Sequence, residues 1–270
     1  MEIALIILGS LCLLYLLLVF LCAPTVRKHS ALEKIKGEYI AHRGLHDEFL
    51  PENSLPAFKA AVDQNLPIEI DVHLTADGNV VVFHDATLKR MCGVDKRVTE
   101  LTLDELKKYR LKESEAFIPT LQECLATVDG RVPLLIEFKM ENGNTKDLCR
   151  ATDQILSNYS GAYLIQSFYP QVVSWYKKHR KTVCRGQLAA NFKFKKEGVA
   201  KWLAGKLLLN FMGRPDFVSY KHSDHSSIML KFVVWLGAFP IGWTFQSSKE
   251  LKTNGSYFKT WIFENFTPKK

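Results

Sequence analysis

Ionisable side chains recur at the ends of four short apolar segments of this chain. In order along the sequence these side chains are His42 and Arg43, then Glu69 and Asp71, then His84 and Asp85, then Glu137 and Lys139. A charge inside an apolar strand is costly unless it is paired or binds a metal. The repetition therefore predicts one shared site rather than four unrelated charges.

Three of these residues are carboxylates with the chemistry of a metal site. Glu69 and Asp71 alternate along one segment, so a strand would place both on the same face. With Glu137 they offer the oxygen ligands that a hard divalent cation, Mg²⁺ or Ca²⁺, prefers. A structural cluster in which the two neighbouring carboxylates pair with Arg or Lys is the alternative.

The remaining residues of the group supply proton transfer and positive charge. His42 and His84 can act as a general acid and base, although His84 followed by Asp85 could also cap a turn. Arg43 and Lys139 can hold an anionic oxygen. A divalent cation, two imidazoles and two cations together predict a site that cleaves a phosphodiester.

Short apolar runs alternate with helix-like segments along the chain, which favours a (β/α)8 TIM barrel. A doubly wound sheet shares this alternation, but no G-x-G-x-x-G or P-loop motif supports nucleotide binding. The segment Pro51-Glu52-Asn53-Ser54 predicts a helix start, with Asn53 or Ser54 as the N-cap. The eight candidate strands are Glu38–His42, Ile68–Leu74, Val80–His84, Leu134–Phe138, Tyr163–Ser167, Arg185–Ala189, Phe217–Tyr220 and Pro240–Thr244.

The chain begins with an uncharged, almost wholly apolar run from Ile3 to Val26. About 20 such residues suffice to cross a bilayer as a helix. Arg27, Lys28 and two further lysines follow directly, and positive residues favour the cytoplasmic side. We expect a transmembrane anchor over residues 1–26, a basic juxtamembrane segment over 27–36 and one domain over 37–270, in a single-pass protein of the cell membrane with a cytoplasmic catalytic domain.

The charge and cysteine content of the chain limit the kinds of binding partner that we expect. Lys and Arg number 36 against 28 Asp and Glu, a formal net charge of +8. The lysines are scattered and no nucleic-acid motif occurs, so we expect a phosphate substrate or an anionic membrane rather than nucleic acid. The six cysteines form no CxxC pair, and we expect them to be reduced and structural.

With these motifs in order, the sequence resembles the glycerophosphodiester phosphodiesterases from Ile40 to about Phe245. The resemblance implies a TIM barrel with a small insertion, about Asp85–Phe117, after the third strand. It implies that metal is held by Glu69, Asp71 and Glu137, that His42 and His84 are the acid/base pair, that Arg43 and Lys139 contact phosphate, and that Trp243 lines the mouth. The motifs that carry it are His42-Arg43-Gly44, Pro51–Ser54, Glu69–Gly78, His84-Asp85, Ile118–Leu121, Ile136–Lys139, Gln166–Phe168 and Gly242–Thr244.

Two departures from the family pattern occur near the end of the chain. Phe245-Gln246 stands where Asn is frequent, and Trp261–Phe266 replaces a closing Thr-Asp. We expect neither segment to touch the metal ligands or the histidines, so substrate range is the property they would alter.

The segment from Asn191 to Asn210 mixes lysines with aromatic and leucine residues. Such a basic amphipathic helix is typical of membrane-surface binding, although an ordinary barrel helix with solvated lysines is the alternative. Membrane contact would bring lysophospholipids within reach as substrates, with lysophospholipase D chemistry at the same site. A non-catalytic, membrane-anchored binding module is the other alternative.

Overall fold

The chain closes into a barrel of eight parallel strands. The computed structural model describes residues 1–268. The strands are β1 Tyr39–His42, β2 Ile68–Leu74, β3 Val80–Val82, β4 Leu134–Phe138, β5 Tyr163–Ser167, β6 Cys184–Ala189, β7 Phe217–Lys221, β8 Phe239–Phe245 and β9 Thr260–Phe263. The strand order around the ring is β1-β9-β8-β7-β6-β5-β4-β2, and pairing of β1 with β2 closes the ring, which excludes the open doubly wound sheet.

Helices connect the barrel strands and cover the outside of the ring. The apolar faces of the longer helices pack on the outward-facing Val, Ile and Leu side chains of the strands, which form the largest cluster of buried residues. The helices are α1 Glu2–Cys22, α2 Ser30–Glu33, α3 Leu55–Asp63, α4 Lys89–Cys92, α5 Leu103–Leu106, α6 Leu121–Val128, α7 Thr145–Leu156, α8 Pro170–His179, α9 Phe194–Gly205, α10 Asn210–Gly213, α11 Ile228–Trp235 and α12 Ser248–Asn254.

The predicted TIM barrel is confirmed, but one of the eight predicted barrel strands is wrong. The segment Val80–His84 supplies β3, which pairs antiparallel with β2 and lies outside the ring. Only residues 75–79 separate the two strands, with Gly78 at φ +81°, whereas a parallel crossover needs a dozen or more residues. Thr260–Phe263 forms the eighth barrel strand instead and pairs with both β8 and β1.

The segment expected as an insertion forms a small lobe with its own core. It contains α4, α5 and short bridges, and its apolar side chains pack under the β2–β3 hairpin. This lobe lies beside the carboxyl end of β2, where the sequence places the candidate site. Its buried cluster comprises Val81, Phe83, Leu88, Met91, Val98, Leu101, Leu106, Leu111 and Ile118.

The opposite end of the barrel is filled by α2. Its Ala31 and Leu32, together with Ile35, form a buried cluster with side chains from the amino ends of seven barrel strands. The hydroxyl of Thr260 donates to the carbonyl oxygen of Ile35 at 2.7 Å, which fixes this segment to β9. Solvent access to the barrel interior is therefore confined to the carboxyl ends of the strands.

Within residues 1–268, the apolar helix α1 packs against the barrel through its carboxyl end, from Leu18 to Cys22. Residues 1–17 are exposed, and the helix is long and apolar enough to cross a membrane. Arg214 donates to the carbonyl oxygens of Phe20 and Ala23 at 2.7 and 3.0 Å. Just beyond the helix, Arg27 pairs with the buried Asp216 at 2.6 Å. The junction between helix and barrel is thus a fixed contact over residues 20–27.

Candidate active site

The three predicted carboxylates lie together at the carboxyl end of the barrel. Glu69 and Asp71 project from the same face of β2, and Glu137 is the register partner of Asp71 on β4. One oxygen atom from each residue lies within 4.8 Å of the others, and all three residues are buried. This spacing of the three oxygen atoms fits a single ion held by all three side chains.

The chemistry of this cluster fits a bound cation. Burial, reinforced by the charges of Asp71 and Glu137, raises the pKa of Glu69 well above its usual range. The Oε1 atom of Glu69 is buried and has no hydrogen-bond partner among the described residues. Three carboxylates in a dry site repel one another, and a divalent cation with oxygen ligands would relieve that repulsion.

Two cationic side chains border the carboxylates. The Nζ of Lys139 lies 3.0 Å from Asp71 Oδ1 and also bonds to Glu137. Burial opposes its charge, but the carboxylates of Asp71 and Glu137 raise the pKa of Lys139 above its usual range. Arg43 places Nε 3.4 Å from Asp71 Oδ2 and NH1 2.8 Å from Glu52 Oε1. Both cations can therefore contact an anion held at the carboxylate cluster.

The imidazole of His42 is held by a partner that the sequence reasoning missed. Its Nδ1 lies 2.5 Å from Glu264 Oε2, and its Nε2 faces the cluster 3.9 Å from Glu69 Oε2. Burial lowers the pKa of His42, and the bond to Glu264 partly offsets that effect. Burial alone would raise the pKa of Glu264, but the hydrogen bonds to His42 and His46 hold it well below its usual range. His42 therefore donates from Nδ1 and presents Nε2 as an acceptor.

The second imidazole has the same arrangement. His84 follows β3, and its Nδ1 lies 2.7 Å from Asp85 Oδ1. Asp85 in turn accepts from Arg90 at 2.6 Å. Burial lowers the pKa of His84 to about 4, against the opposing charge of Asp71. Both histidines are thus neutral at pH 7 and each is oriented by a carboxylate.

These groups line one pocket of about 90 Å³ at the mouth of the barrel. Trp243 lies on its wall and makes an edge contact with Phe168, whose ring centroid is 5.6 Å away. Phe192 continues this aromatic row, 5.8 Å from Phe168. The structure therefore brings together every predicted site residue, with Asp71 directly behind the wall. The predicted residues that line the pocket are His42, Arg43, Glu69, His84, Glu137, Lys139 and Trp243.

The expectation that the Trp261–Phe266 segment stays clear of the histidines is wrong. Glu264 directly follows β9, next to β1 in the ring, so its side chain reaches His42. An available signal was the acidic residue closing an apolar strand, the same pattern that identified the other site residues. Thr260–Phe263 is not among the eight predicted strands, so the sequence prediction does not place the end of β9 beside β1.

The predicted helix start also contributes to the site. Ser54 is the N-cap of α3 and accepts from the backbone N–H of Ala57, as expected. Asn53 instead donates to Asp71 Oδ2 at 2.9 Å, and Glu52 accepts from both Arg43 and Arg90. These contacts fix the loop after β1 against β2 and the inserted lobe.

The sequence of the chain is similar to that of a known protein family. Residues 42–206 match the glycerophosphoryl diester phosphodiesterase family. A glycerophosphodiester phosphodiesterase of Caldanaerobacter subterraneus is 39% identical over 111 residues, covering 38% of this chain and 45% of that protein. The rat lysophospholipase D GDPD1 is 37% identical over 116 residues, covering 42% of this chain and 36% of that protein. The matched segments thus span less than half of either relative.

A solved structure shares the fold. The Oleispira antarctica phosphodiesterase OLEI02445, in complex with the product sn-glycerol-3-phosphate, superposes with a TM-score of 0.73 at 22% identity. The alignment covers 87% of this chain and 94% of that one. The family match includes His42 and spans more than half of the sequence. The chain therefore belongs to the glycerophosphoryl diester phosphodiesterase family, whose members hydrolyse phosphoric diesters.

Proposed function

We propose that the protein is a metal-dependent glycerophosphodiester phosphodiesterase. Its substrate is a phosphodiester between glycerol and a second alcohol, and its products are glycerol 3-phosphate and that alcohol. The observation that carries the proposal is the convergence at one pocket of two cations, two carboxylate-oriented imidazoles and three buried carboxylates, of which Asp71 lies directly behind the wall. Membership of the diesterase family supports the same reaction.

The carboxylates would hold the metal and the cations would hold the phosphate. Glu69, Asp71 and Glu137 are the ligands we propose for a divalent cation, Mg²⁺ or Ca²⁺, which when bound supplies positive charge beside the phosphoryl oxygens and lowers the pKa of the attacking hydroxyl. Arg43 and Lys139, which border the carboxylates, orient the anionic oxygens of the phosphate. The substrate phosphorus then lies within reach of both histidines.

The two imidazoles carry the proton transfers. One accepts the proton of the attacking hydroxyl, which belongs to water or to the 2-hydroxyl of the glycerol group, as the new O–P bond forms. The other enters this step as the imidazolium, after taking up a proton from solvent at its free nitrogen, and gives that proton to the oxygen of the leaving alcohol as the bond between this oxygen and phosphorus breaks. Attack by the 2-hydroxyl yields a cyclic phosphate, which water then opens with the same two groups in exchanged roles. Glu264 and Asp85 keep the two rings in position.

Metal removal tests the proposal directly. Glycerol 3-phosphate release from glycerophosphocholine and glycerophosphoethanolamine is measured with the full chain in detergent, with Mg²⁺, Ca²⁺ or EDTA. We expect turnover with one of the ions, none in EDTA, and none for His42→Ala or Glu69→Ala. Exposed His179 provides the control, since His179→Ala should keep full activity. Undiminished turnover in EDTA, or activity in His42→Ala, would overturn the assignment.

A second candidate function is lysophospholipase D activity on membrane lysophospholipids. The aromatic row from Trp243 through Phe168 to Phe192 leads from the pocket to α9, where Phe194 and Val199 are 55% and 57% exposed among lysines. An acyl chain could follow this row from the bilayer to the phosphate. Choline release from lysophosphatidylcholine vesicles that exceeds the rate on glycerophosphocholine would favour it, and its absence would remove it.

Membrane attachment belongs to the same proposal. We propose that α1 is a single-pass anchor of the cell membrane and that the barrel faces the cytoplasm. The apolar length of α1 and the basic residues that follow it support this orientation. Digestion of the barrel by protease added to intact cells would refute it.

A further inference from the structure

A second cleft adjoins the catalytic pocket. It has a volume of about 520 Å³, opens to solvent, and shares His84 and Lys139 with the pocket of the carboxylates. Its far wall is made by His73, Arg97 and Glu141. A phosphate held by Lys139 would therefore have the catalytic pocket on one side and this cleft on the other. The proposed reaction does not use the residues of the far wall.

Glu141 brings an unsatisfied acceptor to this cleft. The residue is only 9% exposed. Its Oε2 accepts from Arg97 at 2.9 Å, whereas Oε1 is buried without a hydrogen-bond partner among the described residues. The backbone N–H of Glu141 donates to the side chain of Asn144 at 3.0 Å, which fixes the loop after β4. A buried carboxylate oxygen left without a donor is costly, and a donor that enters from the cleft would satisfy it.

His73 supplies a second acceptor beside the first. It is 1% exposed, and its Nε2 lies 3.2 Å from the carbonyl oxygen of His84, which can only accept. The neutral ring therefore donates from Nε2 and presents Nδ1 as an acceptor. This Nδ1 is also buried without a partner in the described chain and lies 3.9 Å from Glu141 Oε1. Two acceptors at this spacing call for one group that carries several N–H or O–H donors.

The charges around the cleft decide which kind of group fits. Asp85 is paired with His84 and Arg90, and Lys139 is paired with Asp71 and Glu137. Arg97 is paired with the Oε2 atom of Glu141. The acceptor left open is thus one end of a carboxylate, which binds a cationic donor more strongly than a neutral one.

We propose that this cleft is the subsite of the leaving alcohol and selects an alcohol that carries a primary ammonium group, such as ethanolamine. Its N–H groups donate to Glu141 Oε1 and His73 Nδ1, while its ester oxygen lies beside His84. A trimethylammonium group has no N–H and leaves both acceptors unsatisfied. This inference rests on the proposed diesterase function and adds the class of leaving alcohol to it.

The test compares two substrates that differ only in that group. For the full chain, kcat/KM is measured on glycerophosphoethanolamine and glycerophosphocholine, and we expect the first to be preferred. Glu141→Gln should lower kcat/KM on the ethanolamine diester about tenfold or more, the loss of one charged hydrogen bond, and leave the choline diester nearly unchanged. The control is Glu115→Gln, in the inserted lobe with a 96% exposed side chain, which should change neither value.

A merely structural role for Glu141 would lower both values together, and that outcome or an unchanged ratio overturns the subsite. Glu141→Asp keeps the charge beside Arg97 and should retain part of the preference, which keeps the test open if Glu141→Gln does not fold. Binding is followed without turnover by titrating free ethanolamine and recording the imidazole ¹⁵N signals of His73. No shift overturns the subsite, whereas an ethanolamine-dependent shift without hydrolysis of any diester overturns the proposed function instead.

Discussion

Each of the two imidazoles that we propose to be catalytic depends on one carboxylate for its orientation. In His42 the ring is held through Nδ1 by Glu264, and in His84 through Nδ1 by Asp85. A histidine fixed in this way presents the same nitrogen to the substrate at every encounter, which general acid–base catalysis requires. The two carboxylates act on the substrate only through the rings they hold.

Replacing Glu264 by Gln should separate positioning from structure. The amide has the shape of the carboxylate and keeps one acceptor oxygen, but it lacks the negative charge that holds the Nδ1–H of His42 and stabilises the imidazolium form. We expect kcat to fall about 10²-fold while KM changes little. Steady-state kinetics at saturating metal measure both constants. Glu250→Gln, on α12, removes the same charge away from His42 and should leave kcat unaltered; an equal fall in both variants would contradict the positioning role.

Most of the site could be predicted from residue types alone. Charges inside apolar strands have few stable explanations, so the residue types alone predict that Glu69, Asp71 and Glu137 belong to one site. Glu264 could not be placed in this way, because its role arises from a contact with β1 that depends on closure of the ring. Glu141 belongs to no sequence motif, and its unpaired Oε1 atom becomes evident only from the surrounding residues that the structure describes.

At the scale of elements, three segments meet at Glu52. Its carboxylate accepts from Arg43, which follows β1, and from Arg90 on α4 of the inserted lobe. Burial would raise the pKa of Glu52, but the hydrogen bonds and charges of Arg90 and Arg43 lower it to about 2. The ionised side chain therefore ties the lobe to the barrel.

The stabilisation from Glu52 should depend on pH. Between its folded pKa of about 2 and its usual 4.5, the unfolded chain binds more protons than the folded one. The contribution is therefore complete above pH 4.5 and is lost as the pH falls towards 2. Glu52→Gln should lower the free energy of unfolding by about 1–3 kcal/mol at pH 7 and by less at pH 3.5.

Urea unfolding of both proteins at the two pH values measures this difference. Glu48, exposed in the neighbouring loop, provides the control variant Glu48→Gln, which should not alter stability at either pH. An equal destabilisation by Glu52→Gln at pH 7 and pH 3.5 would show that packing, rather than the charge, carries the effect.

The elements also show where sequence patterns reach their limit. Apolar runs locate seven of the eight barrel strands to within a few residues, because a parallel barrel buries its strands on both faces. They did not reveal direction, so β3 was counted as a barrel strand although its short connection to β2 forces an antiparallel turn. The direction of β3 follows from the length of the connection between β2 and β3 and not from the composition of the strand.

At the scale of the whole molecule, the chain before β1 belongs to the barrel. Arg27 reaches the buried Asp216, and α2 fills the amino end of the ring. Removal of residues 1–17, all exposed, should leave thermal stability unchanged. Arg27→Gln in the full chain should lower the free energy of unfolding by about 1–3 kcal/mol, since a buried carboxylate loses its charged donor.

Thermal and urea unfolding of the truncated protein and of Arg27→Gln test whether Arg27, unlike residues 1–17, contributes to the stability of the barrel. Lys28, an exposed neighbour, supplies the control Lys28→Gln, for which we expect no change. A large loss of stability on removing residues 1–17, or none in Arg27→Gln, would contradict it. Soluble versions of the protein should accordingly begin before residue 20 rather than within the fixed junction.

The pairing of His42 with Glu264 joins positions 222 residues apart, at the carboxyl ends of the first and last strands of the ring. Contacts between such distant positions carry the greatest loop-closure cost and form late. A ribosome-bound chain with β1 to β8 folded would already contain all three carboxylates and both histidines, yet His42 would lack its partner. Activity would then begin only when translation has delivered β9, so that a nascent or prematurely terminated chain could not hydrolyse diesters before the barrel closes.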